Sequence, residues 1–179
     1  MANPMAAKRD GPRLTTSEFF DGVAEMRAHL DRDKVQRGRG QLTRMAFELT
    51  RSRSAEALAT WLCEAMAQAL EAGAVALVLR RAGAFVRQAS HGVVQRQPGD
   101  AELGIAIESA MARHTLVSKR GGSVAVLRGS DRPIGAMWIE HDAPLDGGLT
   151  PLLLAVVDAG AMALEASLLR PAFVLERQG

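Results

Sequence analysis

The sequence predicts an α+β fold: a central antiparallel sheet with the N- and C-terminal helices packed together on one face. Three observations carry this. Apolar residues recur at helical spacing up to residue 72, switch to short β-branched runs from residue 74, and return to helical spacing at the end of the chain. The strands come as sequence neighbours joined by short turns, which implies antiparallel pairing. Helices that open and close such a chain must share one face of the sheet.

The elements follow in order. Residues 1–16 mix Pro4, Gly11, Pro12 and charges, and are expected to be disordered. Residues 17–30 read as a short helix through Phe19, Phe20, Val23, Met26 and Leu30, and residues 31–40 as a polar break. A second helix spans 41–50, with Leu42, Met45, Ala46 and Leu49 on one face. Residues 55–72 form the clearest amphipathic helix, through Leu58, Trp61, Leu62, Ala65, Met66, Ala69 and Leu70, with 51–54 offering a hinge and a cap before it and Gly73 at the C-terminal cap position.

Residues 74–80 (AVALVLR) read as a buried strand, Ala82-Gly83 as a turn, and 84–89 as the returning strand. Helix 101–114 follows, then a short strand at 115–118. Strands 123–127 and 134–139 form a hairpin across Arg128-Gly-Ser-Asp-Arg-Pro133. Thr150-Pro151 opens the last helix, which Pro171 stops. The organisation is an arm at 1–37, a domain at 38–170 and a tail at 171–179.

Composition excludes several classes. The chain has 179 residues, a net charge of +2, 47% hydrophobic residues and 4% aromatics, so few rings are present to stack bases. A lone cysteine, Cys63, allows no intrachain disulfide and fits a reducing cytoplasm. The last helix is apolar enough to suggest a membrane span, but Asp158 and Glu165 would be costly in hydrocarbon, so no membrane is expected.

No catalytic constellation, cofactor site or metal site emerges. Among His29, His91, His114 and His141, no two have metal-ligand spacing. Six bases against one acid in 34–53 suggest a solvated face or a nucleic-acid-linked regulator; residues 54–179 carry a net of −2. With Phe47 the one aromatic in 34–53, nucleic acid is the weaker partner.

The order of elements resembles a GAF domain, a sensory module, from about residue 42 to 169. The strand PIGAMWIE (133–140) with Gly135, the acidic loop after it, the long final helix and Leu58-x-x-Trp61-Leu62 carry the resemblance. A PAS-like or roadblock-like sandwich is the competing reading. The resemblance implies a non-catalytic regulatory domain in bacterial-type signal transduction, working through homodimerisation and through a protein partner or small effector. The alternative it implies is a ligand or cofactor sensor, with His91, His114 and Met137 as pocket residues. The segment before Ser123 is shorter than in many GAF domains, which argues against a large pocket. Leu42, Met45, Leu49, Leu153, Val157, Leu164 and Leu168 are the expected dimer interface, since a sheet covers one side of an apolar helix and a neighbour must cover the other.

Overall fold

The computed structural model describes residues 16–51 and 53–169, with the backbone alone at 16–20 and 22. The expected disorder of 1–15, the side chains of Phe19 and Phe20, and the tail at 171–179 lie outside the described residues. The chain divides into two compact units, 1–34 and 35–179.

Helix α1 runs unbroken over Thr16–Glu48. The polar break expected at 31–40 is helix, because Asp, Arg, Lys and Gln are compatible with helix and polarity marks only a solvent-facing surface. Gly38 is buried here for a packing reason. A Cβ at this position would stand 2.9 Å from the Ala69 carbonyl oxygen, so the glycine lets α1 lie close to the next helix.

That helix, α2, spans Ala55–Leu70; the Ser54 side chain accepts from the Ala57 amide at 3.2 Å. Its end differs from expectation, since Glu71, not Gly73, takes the left-handed cap position at φ 49°. Strands β1 (Ala74–Arg81) and β2 (Ala84–His91) pair across Ala82-Gly83, whose φ values of 47° and 89° suit a tight hairpin turn. Helix α3 (Asp100–Arg113), β3 (Val117–Lys119), β4 (Gly122–Arg128), β5 (Pro133–Glu140) and α4 (Thr150–Leu169) complete the order.

The five strands form one antiparallel sheet in the order β2-β1-β5-β4-β3. Alternation along each strand splits the core into two layers. On one face, Val75, Leu77, Ala125, Leu127, Met137 and Ile139 pack with α2, α4 and the second-unit part of α1. On the other, Ala76, Val78, Val124, Val126, Ala136 and Trp138 meet α3. Strands β1, β4 and β5 are covered on both sides, which explains their nearly continuous apolar sequences.

Helix α4 is long and apolar enough to cross a membrane by length and composition alone. Here Leu153, Val156, Val157, Ala161 and Leu164 are buried in the sheet-facing core.

Candidate functional site

Three regions bear on function: the sheet face under α3, the polar contacts joining the β4–β5 turn to α4, and a groove between α1 and α2.

Under α3 the space is filled by protein. Trp138 is fully buried among Leu103, Ala106, Val124 and Val126. Its ring lies against Gly122, where any Cβ would collide with the indole. The indole Nε1 donates to Glu140 Oε2 at 3.5 Å. The same oxygen accepts from the amides of Gln95 and Arg96 at 3.0 and 3.2 Å, which holds loop 92–99 to the end of β5. Arg96 Nη1 lies 3.3 Å from Asp142 Oδ1, and Ser123 Oγ lies 2.9 Å from His141 Nε2.

This arrangement corrects the expected pocket. Met137 faces the opposite layer, under α2 and α4. His91 pairs with Val75, which aligns through Ile139 with Ser123 at one end of β4. His114 caps α3 and is hydrogen-bonded by Arg128 at the other end of β4, about 17 Å further along the strand direction. The three residues do not converge.

Cys63 is buried in α2, and burial pushes its thiol up to about 12, against a hydrogen bond from the Leu77 backbone; Glu64 adds to the rise. Among the described residues, no three His, Cys, Asp or Glu side chains gather closely enough to hold a metal ion.

The second region explains the charges of α4. Asp158 Oδ1 lies 3.9 Å from Arg128 Nε. Burial raises the Asp158 pKa, and Arg128 opposes that rise. Glu165 Oε2 accepts from the Ser130 hydroxyl at 2.6 Å and from the Ser130 amide at 2.8 Å. These two bonds hold its carboxyl below the usual range. Both acids of α4 thus face the turn between β4 and β5. Every exposed residue of the helix is apolar: Pro151, Ala155, Met162, Ala166, Leu168 and Leu169.

The expected dimer interface is corrected accordingly. Leu42, Met45, Leu49, Leu153, Val157 and Leu164 are closed inside the chain's own core, because α1, α2 and the sheet cover them. Of the seven, Leu168 alone is exposed.

The third region went unseen in the sequence. Gln41, Arg44, Met45 and Glu48 of α1 and Trp61, Ala65 and Gln68 of α2 line a groove of about 240 Å³. The Arg53 guanidinium stacks on Trp61, 4.3 Å from the ring centroid. It also donates to the Glu48 carbonyl at 3.0 Å and lies 3.5 Å from Glu48 Oε2. The signal in the sequence was Trp61 following a run of arginines. Several cations of that basic run are engaged within the chain. Arg37 lies 3.5 Å from Glu71, Arg39 donates to the Gly148 carbonyl at 3.3 Å, and Arg51 lies 3.9 Å from Glu48.

Solved structures share this architecture. The GAF domain of a phosphoenolpyruvate-protein phosphotransferase (ptsP) from Coxiella burnetii aligns at TM-score 0.60 and 12% identity, over 78% of this chain and 99% of that one. The fold is that of a GAF domain. A GAF domain assigned to a sensor histidine kinase of Pseudomonas syringae pv. tomato aligns at TM-score 0.56 and 16% identity, covering 85% of this chain and 99% of its own. The free methionine-R-sulfoxide reductase of Neisseria meningitidis, solved with its substrate, aligns at TM-score 0.60 and 17% identity, over 78% and 93%. No protein-family model and no curated protein matches the sequence. Identities this low carry the GAF fold and nothing finer.

Proposed function

We propose that this GAF-fold chain is a non-catalytic regulatory domain of bacterial-type signal transduction, cytoplasmic, that pairs with a second copy of itself through α4. The carrying observation is the one-sided chemistry of α4. Its two carboxylates are engaged by Arg128 and Ser130, and its exposed residues are all apolar, with Met162 at 61% and Leu169 at 64% exposure. Such a face is unfavourable in water and gains from meeting an identical face across a two-fold axis. The first unit independently presents Val23, Met26 and Leu30 at i, i+3 and i+7, each exposed. A signal arriving at the β4–β5 turn would reach α4 through Glu165 and Asp158. The phosphotransferase and kinase contexts of the solved GAF neighbours support the regulatory reading. A protein partner or small effector would act by shifting this packing.

Native mass spectrometry and light scattering test the proposal together. The expected result is a dimer at micromolar concentration. A strictly monomeric chain would count against the α4 interface.

A further inference from the structure

A cation lining the groove between α1 and α2 has no counter-charge among the described residues. Arg44 and Glu48 stand on α1 at i and i+4, a spacing at which opposite charges often pair. Here they do not. The Glu48 carboxylate is drawn the other way, 3.5 Å from the Arg53 guanidinium and 3.9 Å from that of Arg51. Glu64, exposed on α2, forms no ion pair with Arg44 either. Arg44 therefore lines the groove as an exposed guanidinium without a carboxylate partner among the described residues.

The rest of the lining fits one kind of ligand. Met45 is nearly buried, and with Ala65 and Trp61 it supplies apolar surface. Gln41 and Gln68 add amides that both donate and accept. Trp61 is held in place by Arg53, which stacks 4.3 Å from the ring centroid and donates to the Glu48 carbonyl. A wall that is already ordered costs less to bind against. The volume of about 240 Å³ falls below the ~300–1,000 Å³ typical of pockets that enclose a drug-sized ligand, so a single ring suits it. A stable protein partner needs roughly 1,000 Å² of interface, far more than this groove offers.

We infer that the α1–α2 groove binds a small carboxylate with an apolar, ring-sized body. The carboxylate pairs with Arg44, whose guanidinium fork suits two parallel hydrogen bonds. The body lies against Met45, Ala65 and Trp61. The site is on the α2 side of the sheet, away from the filled space under α3. It names the chemical class of the small effector in the regulatory reading above, and rests on that reading for the consequence of binding. The groove reaches α4 through one residue: Ser167 Oγ, in the last turn of α4, donates to the Arg53 carbonyl at 3.3 Å. A ligand beside Trp61 thus bears on the element proposed to pair with a second copy.

Benzoate is the probe, with benzamide as its uncharged counterpart. The chain has two tryptophans, so a proton–nitrogen NMR spectrum carries two indole signals, which Trp61→Phe assigns. The expected result is saturable movement of the Trp61 signal with benzoate. The Trp138 signal, buried on the opposite face of the sheet, should stay still. Arg44→Gln should weaken binding about tenfold or more, since a charged hydrogen bond is lost. Arg44 is exposed, so this variant keeps the fold, and Arg44→Lys should recover part of the affinity. Benzamide should also bind the wild type about tenfold more weakly than benzoate. A Trp61 signal unmoved at about 10 mM benzoate overturns the inference. Equal affinity in Arg44→Gln, or for benzamide, overturns it too. Light scattering on the same samples reads the α4 interface separately. A monomer that binds benzoate upholds this site while the pairing fails, and a dimer that does not bind it removes this site alone.

Discussion

Trp138 and Gly122 show how one side-chain pair decides what this GAF fold can hold. The indole fills the face beneath α3, and it fits because its neighbour on β4 has no side chain. Gly122→Ala should therefore destabilise the protein by about 1–3 kcal/mol, the usual cost of overpacking. A lowered melting temperature with an altered near-UV tryptophan signal would be the reading, and an unchanged melting temperature would contradict it. Cys63 gives a pH-dependent test. Its thiol titrates near 9.0 when unfolded and near about 12 when folded. Between those values the unfolded chain releases a proton that the folded chain keeps. The thiol's stabilising contribution is thus complete below about pH 9 and declines by up to ~1.4 kcal/mol per pH unit above it. Cys63→Ala should lose less stability relative to wild type as pH rises from about 8 to 11. Urea unfolding across that range measures the difference, and a constant gap would refute the burial argument.

At the scale of elements, most of the fold was legible in the sequence because periodicity is a local property. The turn at Ala82-Gly83, the start of α4 at Thr150-Pro151 and the hairpin around 128–133 all formed where local chemistry placed them. Residues 31–40 misled because charge was read as a break, whereas the physical signal was a helix with a glycine at a close approach. The inward side of α4 was not legible for a different reason. A helix apolar nearly all round has no dominant stripe, so spacing cannot tell Val157, which is buried, from Met162, which is exposed. The pocket residues failed because convergence depends on strand register, which no local pattern encodes. Polar contacts on α4 accompany its burial: Glu165 on Ser130, and Asp158 on Arg128. Glu165→Ala should expose the Ser130 amide and speed its hydrogen exchange, while core amides on β1 keep their protection. Unchanged exchange at Ser130 would show that the turn holds its shape without α4.

For the molecule as a whole, the proposed assembly draws on the flank of α4 opposite to the one that folding uses, and one pair of substitutions separates them. Val157 is wholly buried under the sheet, so Val157→Glu places a carboxylate where neither water nor a partner reaches it. An unpaired buried charge costs several kcal/mol, a large share of the ~5–15 kcal/mol that a domain has in total. That variant should unfold or become insoluble, which says nothing about oligomers. Met162 is 61% exposed on the other flank, so Met162→Glu leaves the monomer core untouched. If a second copy covers α4, Met162→Glu brings two carboxylates together at the two-fold interface. The protein should then be a folded monomer, with a wild-type circular dichroism spectrum and half the wild-type mass in light scattering. A Met162→Glu protein that remains dimeric would remove α4 from the interface. The exposed Val23, Met26 and Leu30 would then be the surface to test, by Met26→Glu in the same assay.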